Sequence, residues 1–239
     1  MDNSPDDSLR NVIVVDDRVK YMHIENRGYG NAHNQAIRMA LESGADYHLV
    51  LNPDVRWDGQ ILAKLVADME ADDSCGMMQP RLTYPDGRLQ HACRLLPTPF
   101  DVFAKRFLPG RLIAGRMRRY LLADSAYDRT FNAVYMQGSF MLFSAKALRD
   151  VGCFDERFFM YPEDIDITRR MRRRYSAMYN PTVTVVHDHA ATSSRFNRLL
   201  WIHITNMIRY FNKWGWFVDK ERRRLNRQLL DELRARSCQ

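Results

Sequence analysis

The chain has 239 residues, 46% of them hydrophobic, which is enough for one sizeable core and too little to demand a second. Lys and Arg outnumber Asp and Glu by 36 to 29, and the formal net charge of +7 suits nucleotides, nucleic acid or an anionic membrane face as partners. Cys75, Cys93, Cys153 and Cys238 form no CxxC pair, which argues against a zinc site or a disulfide framework, and no stretch reaches the ~20 continuous apolar residues of a spanning helix.

The opening "MDNSPDDSLRN" is polar and acidic, unlike the basic start and apolar run of a signal peptide, so a reducing cytoplasm is the expected setting. "NVIVV" and "KYMHIE" read as short strands, and "NRGYGNAHNQAIRMALESG" as a loop entering a helix. Ala32, Ala36, Met39 and Ala40 share one face of that helix, and Gly44 stops it. "YHLVLN" is a strand, Asp58 can cap a helix carrying Ile61, Leu62, Leu65, Val66 and Met69, and "CGMMQP" is another strand. Strands alternating with helices predict an α/β fold with a mainly parallel sheet.

Pro85, Asp86 and Gly87 form a turn signal able to join two hairpin strands, whereas residues 97–130 mix aromatics with Arg in no clear period and are expected to be irregular, either mobile or facing an acceptor. "AVYMQGSFMLF" reads as a long apolar strand, followed by a short helix from Ser144 to Gly152. A helix then opens on the carboxylates of "PEDIDITRRMRRR", and "PTVTVVH" is a strand ending at His187. Beyond Ser194 the period becomes helical. Phe196, Leu200, His203, Met207 and Phe211 form one face, and Leu225, Leu229 and Leu233 form another within a strongly charged segment. That second stripe fits either a helix packed on the domain or an interfacial helix on an anionic leaflet.

Three places carry chemistry. In "LNPDV", Pro53 cannot donate to a sheet ladder, so the strand ends near Asn52 and presents Asp54 at a strand's carboxyl end, where ligands of such sheets bind. Glu163, Asp164 and Asp166 crowd a helix start. Acids there gain roughly 0.3–1 kcal/mol from the helix dipole and need no further reason, yet a carboxylate so placed is also able to serve as a base. His187 ends a third strand. Together these suit transfer from an activated phosphate ester, with Asp54 and His187 available to a divalent metal that neutralises a diphosphate.

These residues also carry a resemblance. "ENRGYGNAHNQAI", "LNPDV" and "GSFMLFSAKALRDVGCFDERFFMYPEDIDITRRMRRR", followed by the histidine of "VVHDHAATSS", resemble in that order the segments of family 2 glycosyltransferases of GT-A fold, especially the bacterial rhamnosyltransferase-like group. The resemblance spans about residues 2–190 and implies a Rossmann-like sheet flanked by helices over residues 1–194, with an amphipathic helical tail over 195–239. It implies Asp164 as general base, with Glu163 orienting the base or the acceptor, and Asp54 and His187 as ligands of Mn2+ or Mg2+. Asp2, Asn26, Gly28, Asn34, Gly138 and Asp166 would lie at the substrates. The implied reaction is inverting transfer of a sugar from a dTDP or UDP donor to a hydroxyl of a glycan or lipid-linked acceptor. The expected site is the inner face of the cytoplasmic membrane, during polysaccharide assembly.

In the family a strand and a helix precede the Asp-Asn-Ser with which "MDNSPDDS" begins, so the resemblance also implies an N-terminally short domain and an unpaired sheet edge. A truncated, non-catalytic remnant is therefore the competing expectation. Nucleic-acid binding through the Arg runs at 169–174 and 222–224 is not expected, because they lack interleaved stacking aromatics.

Overall fold

The computed structural model describes residues 1–10, 16–124, 127–188 and 198–237. The expected strand "NVIVV", the whole of "HAATSS", Phe196 and Cys238 lie outside the described residues. In chain order, α1 (Tyr29–Glu42) leads to β1 (Tyr47–Leu51), β2 (Val55–Arg56), α2 (Ile61–Glu70) and β3 (Cys75–Thr83). Helices α3 (Pro99–Phe107) and α4 (Gly110–Tyr120) precede β4 (Phe131–Asn132), β5 (Phe140–Ser144), α5 (Ala145–Val151), α6 (Glu163–Met171) and β6 (Ser176–His187). Two long helices, α7 (Arg198–Trp214) and α8 (Lys220–Ser237), follow.

The strands form one six-stranded sheet in the order β1-β5-β3-β6-β2, with β4 also on β6. Among the described strands β3 and β6 run parallel, while β5 is antiparallel to β1 and β3, and β2 and β4 are antiparallel to β6. The sheet is thus mixed where a mainly parallel one was expected. Strand direction is not written in a continuous apolar run: "FMLF" is buried at every position and reads alike in both senses. "KYMHIE" forms no strand and contributes one parallel bridge, Asp2 to His23.

The sheet divides two cores. Met141 and Phe143 of β5 face the larger one, with Ile37, Val50, Met77, Phe154 and Met171, while Phe140 and Leu142 face the smaller one, with Ile61, Leu65, Leu82 and Val185. This alternation is the strand period of two. In α1 the buried side pivots on Ala32, Asn34 and Ile37, whereas Met39 is exposed. Leu225, Leu229 and Leu233 join the larger core at 1%, 1% and 8% exposure, together with Met207, Tyr210 and Phe211. The apolar stripe of α8 is therefore covered by the protein itself.

Residues 97–130, expected to be irregular, hold α3 and α4. The start of α3 is a reciprocal cap: Thr98 N–H and Oγ donate to Asp101 Oδ2 at 2.8 and 2.6 Å, and Asp101 N–H donates to Thr98 Oγ at 3.2 Å. The 85–87 turn forms as expected, with Gly87 at φ 81°, and its return arm makes one antiparallel bridge, Thr83 to Leu89, flanked by Tyr84 N–H to Arg88 O at 2.8 Å and Gln90 N–H to Leu82 O at 2.9 Å. The long strand expected from Ala133 is confined to β5, because the chain turns at Gln137–Ser139. There the buried Gln79 amide donates to Gln137 O at 2.6 Å and to Phe140 O at 2.8 Å.

Candidate active site

Three chain segments converge at the carboxyl end of β1. Asn52 N–H donates to Ser139 O at 2.9 Å and Val55 N–H to Asn52 O at 3.2 Å, which turns "NPD" sharply after Leu51. The Tyr29 hydroxyl, at the start of α1, donates to Gly138 O at 2.5 Å and lies 3.3 Å from Asn52 Oδ1. Burial, and then the charges of Glu163, Asp164 and Asp54, hold that hydroxyl well above its ordinary pKa. Tyr29 thus stands among all three carboxylates.

Asp54 and His187 are brought together, with Nε2 3.4 Å from Oδ1; the histidine is fully buried and the aspartate side chain is 40% exposed. Gln90 clamps the histidine from behind: its amide donates to His187 O at 2.7 Å, and its Oε1 faces Nδ1 at 2.9 Å. An amide oxygen only accepts, so Nδ1 carries a proton and Nε2 is the ring nitrogen that faces the Asp54 side. That tautomer and an exposed carboxylate oxygen fit a divalent cation. No group of three His, Cys, Asp or Glu side chains able to hold a metal ion converges among the described residues.

Glu163 and Asp164 open α6 and are almost fully buried, at 4% and 6% exposure. Burial pushes both carboxyls up, and the Asp164 charge adds to the rise at Glu163. The two differ in what offsets burial. Asp164 accepts the Ile165 N–H at 2.8 Å and the Gly138 N–H at 3.2 Å, and the Arg94 guanidinium stabilises its charge. Glu163 Oε2 has no hydrogen-bond partner. In such an adjacent buried pair, the two backbone N–H bonds and the Arg94 charge favour the ionised form at Asp164 over that at Glu163. Gly138 leaves room for this contact: a Cβ there would lie 3.4 Å from Tyr29 Oη and 3.6 Å from Asp164 Cβ.

Gly28 has φ 101°, and a Cβ on it would sit 2.2 Å from Phe159 O, the carbonyl that accepts Tyr29 N–H at 2.8 Å. Asn26 Oδ1 accepts the Gly28 N–H at 3.2 Å and faces Asn3 at 3.5 Å, joining the N-terminal segment to this loop. Asp2 accepts from Ser4 and Tyr21, which hold its carboxyl down at about 2.

Two predicted residues stand away from this cleft. Asn34 is buried and bolts α1 to the "FDE" loop, exchanging bonds with Phe154 N–H and O at 2.9 Å each and reaching Glu156 at 2.8 Å. Asp166 is fully buried on the far side of α6. It accepts from Trp214 Nε1 at 2.8 Å, Lys213 Nζ at 2.6 Å and Arg170 Nε at 2.8 Å. Beside it, the buried Arg169 makes a two-pronged ion pair with Asp219 at 2.6 and 2.7 Å and donates to Glu221 at 2.9 Å. The helix carrying the acid pair is therefore braced by α7 and α8.

Sequence reasoning passed over Tyr29, Gln79, Gln90 and Arg94. A signal existed for Gln79, a lone amide within an apolar strand. For Arg94, burial alone would lower the pKa, but Tyr135, Tyr120 and Asp164 around it raise it overall.

This sheet, with its converging strand ends, defines the GT-A class of glycosyltransferase fold. GalNAc-T7, solved with UDP, GalNAc and Mn2+, aligns at TM-score 0.56 over 86% of this chain and 38% of that one, at 12% identity. The family model for glycosyl transferase family 2 matches residues 1–152, and the chain belongs to that family. It is 30% identical over 183 residues to the N-acetylglucosaminyl-diphospho-decaprenol L-rhamnosyltransferase of Mycobacterium tuberculosis, covering 71% of this chain and 58% of the relative. It is 26% identical over 199 residues to the low-salt glycan biosynthesis hexosyltransferase Agl10 of Haloferax volcanii, covering 82% of this chain and 60% of the relative. The chain thus spans under two thirds of either relative's length.

Proposed function

We propose that the chain transfers a sugar, with inversion, from a dTDP or UDP donor to a hydroxyl of a glycan or lipid-linked acceptor at the inner face of the cytoplasmic membrane. Rhamnose is the sugar proposed, by analogy with the mycobacterial relative, whose name also supplies the lipid-diphosphate acceptor class. Residues 1–194 act as the transferase core and the helices of 195–239 brace it. The observation that carries the reading is the acid pair at the head of α6, where Asp164 accepts two backbone N–H groups while Glu163 Oε2 meets no hydrogen-bond donor among the described residues.

In this reading Asp164 takes the proton of the acceptor hydroxyl as its oxygen bonds to the anomeric carbon and the bond from that carbon to the diphosphate breaks on the opposite face. Glu163 donates a hydrogen bond that orients the acceptor. Asp54 and His187 would hold a divalent cation, which neutralises the charge of the leaving diphosphate. Asp2 and Asn26 serve the nucleoside side, Gly28 and Gly138 let Phe159 and Asp164 pack closely on the backbone beside the donor site, and Asn34 and Asp166 position the elements around them.

Calorimetric titration with UDP and with dTDP, each with and without Mn2+, tests the donor site. Metal-dependent binding that prefers one nucleotide is the expected result. Absence of binding to well-folded protein would overturn the reading in favour of a non-catalytic remnant.

A further inference from the structure

With its leucine stripe buried in the core, α8 turns its charged side outward, and that side borders a cavity of about 520 Å³ shared with α4. Arg119 of α4 and Arg222, Arg223, Arg227 and Arg234 of α8 line it, against a single carboxylate, Asp231. Arg222 is buried at 4% exposure, and its guanidinium donates to two carbonyls, Pro97 O and Trp216 O, each at 3.3 Å. Among the described residues no carboxylate hydrogen-bonds that guanidinium; Asp219, which accepts its backbone N–H, is already engaged by Arg169. A desolvated cation facing a basic cavity asks for an anion, and paired guanidinium donors match phosphate oxygens.

At the lip of the same cavity stands Phe217, 76% exposed, followed by Val218 at 73%. An aromatic and a branched aliphatic side chain held out beside clustered arginines match the boundary between headgroups and acyl chains. A single-stranded nucleic acid would use Phe217 for stacking and would have no use for Val218. The volume is of the size that seats a small organic ligand's polar head.

We infer that this cavity seats the phosphate of an anionic phospholipid headgroup while Phe217 and Val218 enter the bilayer interface, so that the α4–α8 face is the chain's membrane-docking surface. The inference is independent of the transfer chemistry, since neither the acid pair nor Asp54 takes part. Docking is peripheral: no helix of the described residues is long and apolar enough to cross a membrane.

Cosedimentation of the full chain with phosphatidylcholine vesicles, with and without phosphatidylglycerol, tests it. Binding is expected only with phosphatidylglycerol, weakening as salt is raised. The double substitution Arg223→Gln and Arg227→Gln, both at exposed positions, should lower vesicle affinity roughly thirtyfold. Phe217→Ser with Val218→Ser should weaken it on the same vesicles while the thermal midpoint stays unchanged. Equal binding to both vesicle types, or variants that bind as the parent does, would overturn the inference. So would displacement of the protein from vesicles by millimolar inorganic phosphate, which would mark a free-phosphate site. Tighter binding of a single-stranded oligonucleotide, lost in the same variants, would replace the membrane with nucleic acid.

Discussion

Asp164 Oδ2 accepts the backbone N–H of Gly138 at 3.2 Å, so a helix start and the turn before β5 hold one carboxylate between them. Preorganisation of this kind fixes a base before substrate arrives. Asp164→Asn keeps the side chain's size and removes the base. Sugar transfer should fall by about 10²- to 10⁴-fold with nucleotide affinity nearly intact. Normal turnover by the variant would remove Asp164 from this role.

With Asp164 as the proposed base, its ionisation would set the acidic limb of the transfer rate. Burial raises this carboxyl, whereas Arg94 and the two backbone N–H groups lower it again. Arg94→Met withdraws the positive neighbour, so the acidic limb of kcat/KM should move to higher pH. A profile that stays in place would mean that Arg94 does not act on the base.

Gln90 holds His187 through both ends of its side-chain amide. His187→Ala should abolish metal-dependent nucleotide binding. Gln90→Leu, which frees the ring to rotate, should weaken it by about 10- to 100-fold. Calorimetry with Mn2+ and the preferred nucleotide separates the two. Equal affinity of the Gln90 variant and the parent would show that the clamp is dispensable.

Arg169 is 1% exposed and its partner Asp219 3%. Truncating the aspartate leaves a buried guanidinium with Glu221 as its carboxylate partner, beside Tyr210 Oη and the Trp214 ring, so Asp219→Ala should cost about 3–5 kcal/mol in urea unfolding. Because Arg169 lies on α6, the same substitution should also lower transfer by folded protein. A loss below about 1 kcal/mol, the range of surface pairs, would contradict the buried brace.

Glu163 gives a pH test of stability. Its folded pKa lies above its ordinary value of 4.5, so the folded state holds the proton more tightly than the unfolded chain does. The stability it contributes is full below the unfolded pKa and is lost as pH rises through the folded one, with a slope of up to about 1.4 kcal/mol per pH unit. Glu163→Gln cannot ionise. Urea midpoints measured from acid to alkaline pH should fall less for the variant than for the parent, and parallel curves would place the proton elsewhere.

Much of the layout follows from local chemistry. Pro53 lacks the N–H that a ladder would need just past Leu51, Gly44 ends a helix, and acids gather at a helix start because of its dipole, so β1, α1 and α6 were legible together with Asp54, Glu163 and Asp164. The helices of 97–130 were hidden by an irregular mixture of aromatics and arginines, although the Thr98 and Asp101 cap was present as a signal. Other features depend on which distant groups meet. Nothing in "DITRRM" distinguishes Asp166 from Asp164, yet one turns toward Gly138 and the other toward Lys213 and Trp214, because helix periodicity carries positions two apart to different faces. The antiparallel run of β5, the histidine tautomer set by Gln90 and the burial of the α8 stripe likewise rest on long-range neighbours. Residue types and spacing determined the fold class and the acids available for chemistry. Only the tertiary structure decided which acid is charged, which is buried in an ion pair, and which arginines remain at the surface, because desolvation and Coulomb energies depend on distance in space.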